Sequence, residues 1–212
     1  MDGLTRVRAV CWDWNGTLLD DAALCRQVMN RVLSEHGLDE LGDASAYRSA
    51  FRFPIRDFYA DLGIRGAQFE PAARRYLELL ARRTGEASLH AGAHRTIAAV
   101  AGLGHRQVLA SATLTDVLSA QMAPHGIADE FEAVLSIDDP FRASKHDAIQ
   151  VWLASSGLDA DEVLMVGDTN HDREIADALG ASFVHFDGGH QVAPGERTRI
   201  AALEELIPLL AG

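Results

Sequence analysis

The sequence predicts an α/β protein, in which helices cover both faces of a parallel sheet and one all-helical segment is inserted. Short, valine-rich apolar runs of strand length alternate with segments of helical periodicity, which is typical of a parallel sheet. About 90 residues separate the first two runs, whereas a simple crossover needs about a dozen. This gap predicts the insertion. The apolar runs cover residues 7–12, 106–111, 132–137, 162–167 and 182–186.

Helices are predicted from apolar periodicity and from the residues that end them. In the later half of the chain, 144–156 and 170–179 each stop at a glycine, as many helices do. Two amphipathic segments, 21–36 and 68–84, make the insertion helical, and one last amphipathic helix is expected at 197–210. The expected domains are therefore a core, formed by 1–18 and 87–212, and a helical domain formed by 19–86.

Composition excludes several classes of protein. A chain of 212 residues with 48% hydrophobic residues can bury a core, which excludes disorder. The formal net charge of −12, without a basic cluster, argues against a nucleic-acid partner. No apolar run has the length of a membrane span or a signal peptide, so we expect a cytoplasmic protein, either a monomer or a homodimer, with no membrane partner.

Polar residues close several of the predicted strands. The carboxyl ends of parallel strands meet at one edge of the sheet, where ligands bind near the reversal of strand order. Clustered carboxylates suit Mg²⁺, which prefers oxygen ligands, and an ammonium, a hydroxyl and glycine-freed amides suit a phosphoryl group. An aspartate in such a site can be a nucleophile that forms an aspartyl-phosphate. The residues at this edge are Asp13, Asn15, Gly16, Thr17, Ser111, Lys145, Asp168 and Asp172.

Several short stretches of the sequence resemble the motifs of the haloacid dehalogenase superfamily, and the resemblance extends over nearly the whole chain. "DWNGTLLD" is similar to the first motif, "VLASA" to the second, and "GDTNHD" to the fourth, and Lys145, the single lysine of the chain, stands at the third. The resemblance implies a Rossmann-like core with a mobile helical cap, and the cap sequence is similar to the phosphoglycolate phosphatase-like branch. It implies a Mg²⁺-dependent phosphatase of a small phosphorylated metabolite.

The resemblance also implies a role for each matched residue. Asp13 is the expected nucleophile and a metal ligand, and Asp168 and Asp172 are expected to complete the metal site. Ser111 and Lys145 are expected to bind the phosphate. The backbone carbonyl of Asn15 is the remaining expected metal ligand.

Asn15 departs from the family pattern, which usually has an aspartate that transfers protons at this position. An amide cannot exchange a labile proton with a leaving group, and a positioned acid–base group contributes about 10²–10⁴-fold. We therefore expect a slow phosphatase, or one for acidic leaving groups such as acyl or aryl phosphates. On this basis, Asn15→Asp is expected to increase the rate on alkyl phosphates. The main alternative is a catalytically degenerate member that binds Mg²⁺ or a phosphorylated ligand, or serves as an interaction module.

Two other branches of the superfamily fit less well. The phosphonate-cleaving branch needs a lysine in the cap, whereas the one lysine here lies outside it. The dehalogenase branch lacks the acidic fourth motif, whereas Asp168 and Asp172 are present.

Substrate selection is expected from the cap and the rim of the site. Besides Gly16 and Thr17, the candidates are the cap arginines Arg48, Arg52 and Arg56, four residues apart, which can present guanidinium groups to an anion, and His171, which adjoins Asp172.

Overall fold

The computed structural model describes residues 4–139, 144–192, 195 and 198–212. The strands are β1 (Ala9–Asp13), β2 (Leu19–Asp20), β3 (Ser88–Leu89), β4 (Arg106–Leu114), β5 (Ala133–Ile137), β6 (Val163–Gly167), β7 (Ser182–Phe186) and β8 (Arg199–Ile200). The helices are α1 (Ala22–Glu35), α2 (Ala44–Ala50), α3 (Ile55–Asp61), α4 (Phe69–Ala81), α5 (Ala93–Gly102), α6 (Thr115–Met122), α7 (Lys145–Ser156), α8 (Asn170–Leu179) and α9 (Leu206–Leu210).

The main sheet has the strand order β5-β4-β1-β6-β7-β8, and each neighbouring pair is parallel. The first strand lies inside the sheet, between β4 and β6. The chain leaves β1 toward β4 and β5 on one side and later returns to β6 on the other. The strand order therefore reverses at β1, and this reversal puts the end of β1 where ligands bind in α/β sheets.

Alternate residues of the central strands pack into two separate cores. Val10 and Trp12 of β1 join the apolar cluster that includes residues of α5 and α9, whereas Ala9 and Cys11 join the cluster that includes residues of α7 and α8. All four side chains are buried because both faces of the sheet are covered. This explains the uninterrupted apolar runs, and the predicted α/β fold with a helical insertion is confirmed.

The insertion has a hydrophobic core of its own. Residues of α1 to α4 form a third apolar cluster, in which Met29, Val32, Leu33, Phe58 and Ala72 are almost fully buried. The antiparallel pair β2 and β3 stands where the chain enters and leaves this bundle. We propose that 19–86 forms the cap, because this two-stranded ribbon brackets it.

Three predicted elements differ in extent. The helix predicted at 197–210, of which residue 197 lies outside the described residues, does not form as one helix: Arg199–Ile200 pairs with the edge strand β7, a short 3-10 turn follows, and within 198–210 only Leu206–Leu210 is α-helical. Unpaired backbone groups at the sheet edge explain this pairing, which periodicity cannot predict. The helix predicted at 68–84 stops at Ala81, and β4 continues beyond Ser111 to Leu114.

Gly157 and Gly180 end α7 and α8 in the left-handed conformation, as predicted. Among the described residues, none of the helices combines the length and the apolar character needed to cross a lipid bilayer.

Candidate active site

A buried lysine links two carboxylates at the carboxyl edge of the sheet. Lys145 is the first residue of α7, and Ser144 caps this helix by accepting a hydrogen bond from the Asp147 N–H. The Lys145 Nζ lies 2.5 Å from Asp13 Oδ1 and 2.6 Å from Asp172 Oδ1. The structure therefore brings together the predicted nucleophile and two of its predicted partners.

Asp168 completes an acidic cluster with this pair. One carboxylate oxygen from each of Asp13, Asp168 and Asp172 lies within 4.8 Å of the others. Asp168 directly follows β6, and Asp172 lies in the first turn of α8, where Thr169 caps the helix. Thr17 donates a hydrogen bond to Asp168 Oδ1 at 3.0 Å, so Thr17 orients a carboxylate of the cluster.

The electrostatics of the cluster fit a divalent cation. Burial raises the pKa of Asp13 well above its ordinary value, although Lys145 opposes the increase. Burial also raises the pKa of Asp168, to about 6, against the opposing charge of His190. Burial works in the same direction at Asp172, but there Lys145 prevails and lowers the pKa. The buried Asp168 and Asp172, the half-buried Asp13 and one ammonium carry an excess of negative charge, and an all-oxygen donor set suits Mg²⁺. The residues present therefore fit the expected metal.

The side chain of Asn15 is held at both ends. Its Nδ2 donates to Asp21 Oδ2 at 2.8 Å, and its Oδ1 accepts from Thr113 Oγ1 at 2.7 Å and from Ser111 Oγ at 3.3 Å. Ser111 is buried, as expected for a residue at the end of a central strand. Thr113 was not predicted. The spacing of two between the hydroxyls in "SAT" was the available signal, since alternate residues of an extended strand share a face.

Gly16 is required by close packing. Its φ is +81°, and a Cβ at this position would lie 2.4 Å from Asp168 Oδ2 and 2.3 Å from His190 Cδ2. Its N–H, which was expected to bind phosphate oxygens, donates instead to Leu19 O at 2.9 Å and to Asp21 Oδ1 at 2.8 Å. Because Gly16 has no side chain, Asp168 and His190 can pack directly against its backbone. The Gly16 N–H stabilises the turn that follows β1.

Two of the three candidate cap arginines, Arg52 and Arg56, do not contact the acidic cluster in this structure. Arg52 pairs with Asp61 on the cap surface, at 2.7 Å between Nη2 and Oδ2. The Arg56 guanidinium lies over the ring of Phe69, 4.2 Å from its centroid. Their contacts are thus within the cap.

His171 lies between the cap and the core. Its ring stacks on Phe53 of the cap, with 4.6 Å between the centroids. Burial lowers the pKa of His171, although the Asp172 carboxylate opposes this effect. His171 therefore stands at the rim of the site, next to a residue of the acidic cluster.

Three buried residues that the sequence analysis did not select extend this site. Asp21, Tyr47 and His190 form a chain in which His190 Nε2 is 3.1 Å from Asp21 Oδ1, and His190 Nδ1 is 2.8 Å from the Tyr47 hydroxyl. The His190 backbone N–H donates to Asp168 Oδ2 at 2.5 Å. The adjacent pair of glycines, Gly188 and Gly189, was the local signal for a tightly packed loop here. The contact between His190 and Asp21 itself joins residues 169 positions apart.

The segment that precedes α3 also binds the core. Asn170 Oδ1 accepts from Phe53 N–H at 3.2 Å, and Gln191 Nε2 donates to Phe51 O at 3.1 Å. Arg48 of α2 donates to Asp187 O. These bonds hold the cap over the edge of the sheet that carries the acidic cluster.

Comparisons with known proteins agree with this architecture. The model of the haloacid dehalogenase-like hydrolases matches residues 10–186. A phosphoglycolate phosphatase of Pectobacterium atrosepticum is 26% identical over 199 residues, which cover 90% of this chain and 84% of that protein. A 5′-nucleotidase of Pseudomonas aeruginosa is 29% identical over 185 residues, which cover 85% of this chain and 80% of the relative.

A haloacid dehalogenase-like hydrolase from Streptococcus pneumoniae has the same fold. Its solved structure superposes with a TM-score of 0.83 at 17% identity and covers 97% of this chain and 99% of its own. The matched residues include the strands that carry the acidic cluster. The chain therefore belongs to the haloacid dehalogenase-like hydrolase family, as a hydrolase similar to its phosphoglycolate phosphatases.

Proposed function

We propose that this protein is a Mg²⁺-dependent phosphatase that hydrolyses a small phosphorylated metabolite through an aspartyl-phosphate on Asp13. The observation that carries the proposal is the contact of Lys145 with both Asp13 and Asp172, beside Asp168. A carboxylate held by a buried ammonium, within a cluster that fits a divalent cation, suits attack on an anionic phosphoryl group. The similarity to phosphoglycolate phosphatases supports the same class of substrate.

In the proposed reaction, Asp13 attacks phosphorus and the bond from phosphorus to the leaving oxygen breaks. The leaving oxygen takes the bonding electrons, and water then hydrolyses the aspartyl-phosphate to phosphate and free Asp13. Lys145 holds one Asp13 oxygen, which orients the carboxylate, and its charge also attracts the phosphoryl oxygens. Mg²⁺ bound by Asp13, Asp168, Asp172 and the Asn15 carbonyl would neutralise charge on the phosphoryl group.

Ser111 is the proposed hydroxyl donor to the phosphoryl group. Thr113 approaches Asn15 Oδ1 to 2.7 Å, whereas Ser111 lies 3.3 Å from the same oxygen. Ser111 Oγ also donates to Thr113 Oγ1 at 2.9 Å, and we propose that a bound phosphoryl oxygen replaces Thr113 as the acceptor of this proton, while Thr113 still donates to the amide oxygen. The backbone N–H of Thr113 donates to Ser111 Oγ and helps to fix it.

Asn15 sets the proposed preference for substrates. Its amide cannot protonate a leaving alkoxide, so a leaving group that is stable as an anion should depart faster. We therefore propose that the enzyme is slow on alkyl phosphates and faster on acyl or aryl phosphates. Thr17, which holds Asp168, supports the metal site, and His171 is the proposed rim contact of the substrate.

The test is a screen over phosphorylated metabolites with and without Mg²⁺, with Asp13→Asn as the blank. The proposal expects turnover that needs Mg²⁺, that is lost in Asp13→Asn, and that is faster on para-nitrophenyl phosphate than on an alkyl phosphate. Equal turnover by wild type and Asp13→Asn would refute the role of Asp13.

A second candidate is a non-catalytic protein that binds Mg²⁺ or a phosphorylated ligand. The observation in its favour is that hydrogen bonds fix both ends of the Asn15 amide. Beryllium trifluoride, which mimics the aspartyl-phosphate, separates the two candidates. If it stabilises the protein together with Mg²⁺, yet no substrate is hydrolysed, the binding protein is the better description.

A further inference from the structure

Asp21 stands where a helix cap is expected, but its side chain makes no cap bond. It is the residue before α1, a position at which aspartate usually accepts a bond from the first helical turn. Instead, its carboxylate faces the loop that follows β1. Asp21 is 1% exposed, so the orientation of this buried charge must be stabilised by other partners.

Four donors surround the Asp21 carboxylate. Gly16 N–H and His190 Nε2 contact Oδ1, at 2.8 Å and 3.1 Å. Asn15 Nδ2 and the Cys25 thiol contact Oδ2, at 2.8 Å and 3.5 Å. A carboxylate with this many donors is held in one orientation and is not free to exchange protons with a substrate.

This arrangement determines the orientation of the Asn15 amide. With Nδ2 toward Asp21, the amide oxygen faces the two hydroxyls of Ser111 and Thr113. The reversed amide would place its oxygen against Asp21 Oδ2, and two buried acceptors would then face each other at about 2.8 Å. The Asp21 carboxylate therefore selects one of the two amide orientations.

We propose that Asp21 is a positioning residue that fixes Asn15 beside Ser111, and that positions 15 and 21 form an exchangeable pair. The pair accommodates one carboxylate and one amide, and the chain places the carboxylate at the position that the substrate does not contact. This inference rests on the proposed function and deepens it. The weak activity proposed toward alkyl phosphates then results from the pair of residues 15 and 21, and not from Asn15 alone.

The pair changes the expected result for Asn15→Asp. That substitution alone puts a second carboxylate against Asp21. The two carboxyl groups must then either share a proton or repel each other. The exchange Asn15→Asp with Asp21→Asn avoids this conflict. The amide introduced at position 21 can donate from its Nδ2 to the carboxylate introduced at position 15, and it can accept through its Oδ1 from Gly16 and His190. The charge of the cluster is unchanged, and the carboxylate at position 15 can accept from Ser111 and Thr113.

The experiment compares wild type, each single substitution and the double exchange, with the exposed Asp57→Asn as a control for the chemical change. The readouts are Tm, with and without Mg²⁺ plus beryllium trifluoride, and kcat and KM on an aryl and an alkyl phosphate. We expect both single substitutions to lower Tm and the double exchange to recover part of the loss, because it removes the conflict with position 15 but not the loss of the carboxylate that pairs with His190. Only the double exchange should raise kcat on the alkyl phosphate, by about tenfold or more, with little change in KM.

The inference is overturned if Asn15→Asp alone equals the double exchange in Tm and in kcat on the alkyl phosphate. If the double-exchange variant folds poorly, a second set of variants tests the same proposal. This set consists of Asn15→Ala, Asp21→Asn and the combination of both. If Asp21 acts through Asn15, then Asp21→Asn should lower kcat in wild type but not in the Asn15→Ala background. Equal losses in both backgrounds would contradict the proposal.

These results separate this inference from the proposed function. If wild type hydrolyses no phosphate while the Tm of the double exchange exceeds the value expected from the sum of the two single effects, the phosphatase proposal fails and the pairing of positions 15 and 21 stands. If wild type is an active phosphatase but the Tm changes of the two substitutions simply add, the pairing fails and the phosphatase proposal stands.

Discussion

Lys145 donates to Asp13 at 2.5 Å, although 132 positions separate the two residues in the chain. Lys145 is 4% exposed, and the second Lys145 contact is Asp172. Coulombic attraction to these two carboxylates raises the Lys145 pKa above its ordinary value, despite the opposing effect of burial. The ammonium is therefore the fixed positive charge of the acidic cluster.

Substitution of Lys145 by methionine should destabilise the protein. Removal of one partner of a buried ion pair costs about 3–5 kcal/mol, because the remaining charge is uncompensated. Mg²⁺ should then raise Tm more in Lys145→Met than in wild type, since the cation offsets the same carboxylates. Thermal unfolding at several Mg²⁺ concentrations measures this difference. An equal Mg²⁺-dependent rise in both proteins would contradict the electrostatic role.

Asp168→Asn should weaken Mg²⁺ binding while the fold is retained. The asparagine oxygen can accept the His190 N–H and its Nδ2 can donate to the Thr17 hydroxyl, but the amide carries no charge for the metal. Calorimetric titration with Mg²⁺ should show a loss of affinity of at least tenfold, the equivalent of about 1.4 kcal/mol. Asp57→Asn, which changes an exposed carboxylate, should leave the affinity unchanged. Wild-type affinity in Asp168→Asn would remove Asp168 from the metal site.

The free energy of unfolding should depend on pH through His190. Burial lowers the pKa of His190, but Asp21 outweighs it and raises the pKa to about 9, from an ordinary value of 6.5. Because the folded-state pKa is the higher one, this stabilisation is fully present below about pH 6.5 and is lost as pH rises through about 9. Between these pH values, the free energy of unfolding measured with urea should therefore decrease less in His190→Gln than in wild type.

The control for His190 is His36→Gln, which changes an exposed histidine of the cap. If His190→Gln and His36→Gln have the same pH profile, the ion pair between His190 and Asp21 does not contribute to stability.

Thr113→Val should lower kcat through Ser111. Without the Thr113 hydroxyl, Asn15 Oδ1 loses its closest donor and Ser111 loses its closest acceptor, so Ser111 should donate to Asn15 Oδ1 instead of to a phosphoryl oxygen. The loss of one such hydrogen bond is worth about 1 kcal/mol, or roughly fivefold in rate. Thr113→Ser retains the hydroxyl and should keep most of the activity. Steady-state kinetics on para-nitrophenyl phosphate compares the two, and equal rates would exclude this role.

Asn170→Ala should release the cap segment that contacts the core. The Asn170 side chain accepts from Phe53 N–H at 3.2 Å and lies 3.4 Å from Phe53 O. Hydrogen exchange measured by mass spectrometry should become faster at 51–53 in this variant. Asn30→Ala is a matched control, because Asn30 makes the same two kinds of bond with Leu41 inside the cap. Faster exchange at 51–53 in both variants would show a general loosening of the cap.

The sequence located the acidic cluster because local patterns mark the ends of strands. Asp13 ends β1, Asp168 follows β6 and Lys145 begins α7, and the topology of a parallel sheet brings such residues to one edge. The helical insertion was predicted for a similar reason, since its length exceeds that of a crossover. The last helix was predicted too long because β8 depends on the free edge of β7.

Only the tertiary structure decided the partners of these residues. The sequence by itself determined the strands β1, β4, β5, β6 and β7, the helices α7 and α8, and the helical insertion, because all of these follow from periodicity and spacing along the chain. The contacts of Asn15 with Asp21, and of His190 with Tyr47, depend on how the cap packs on the core. Hydrogen bonds between distant segments require fixed distances and angles, which residue spacing along the chain does not specify.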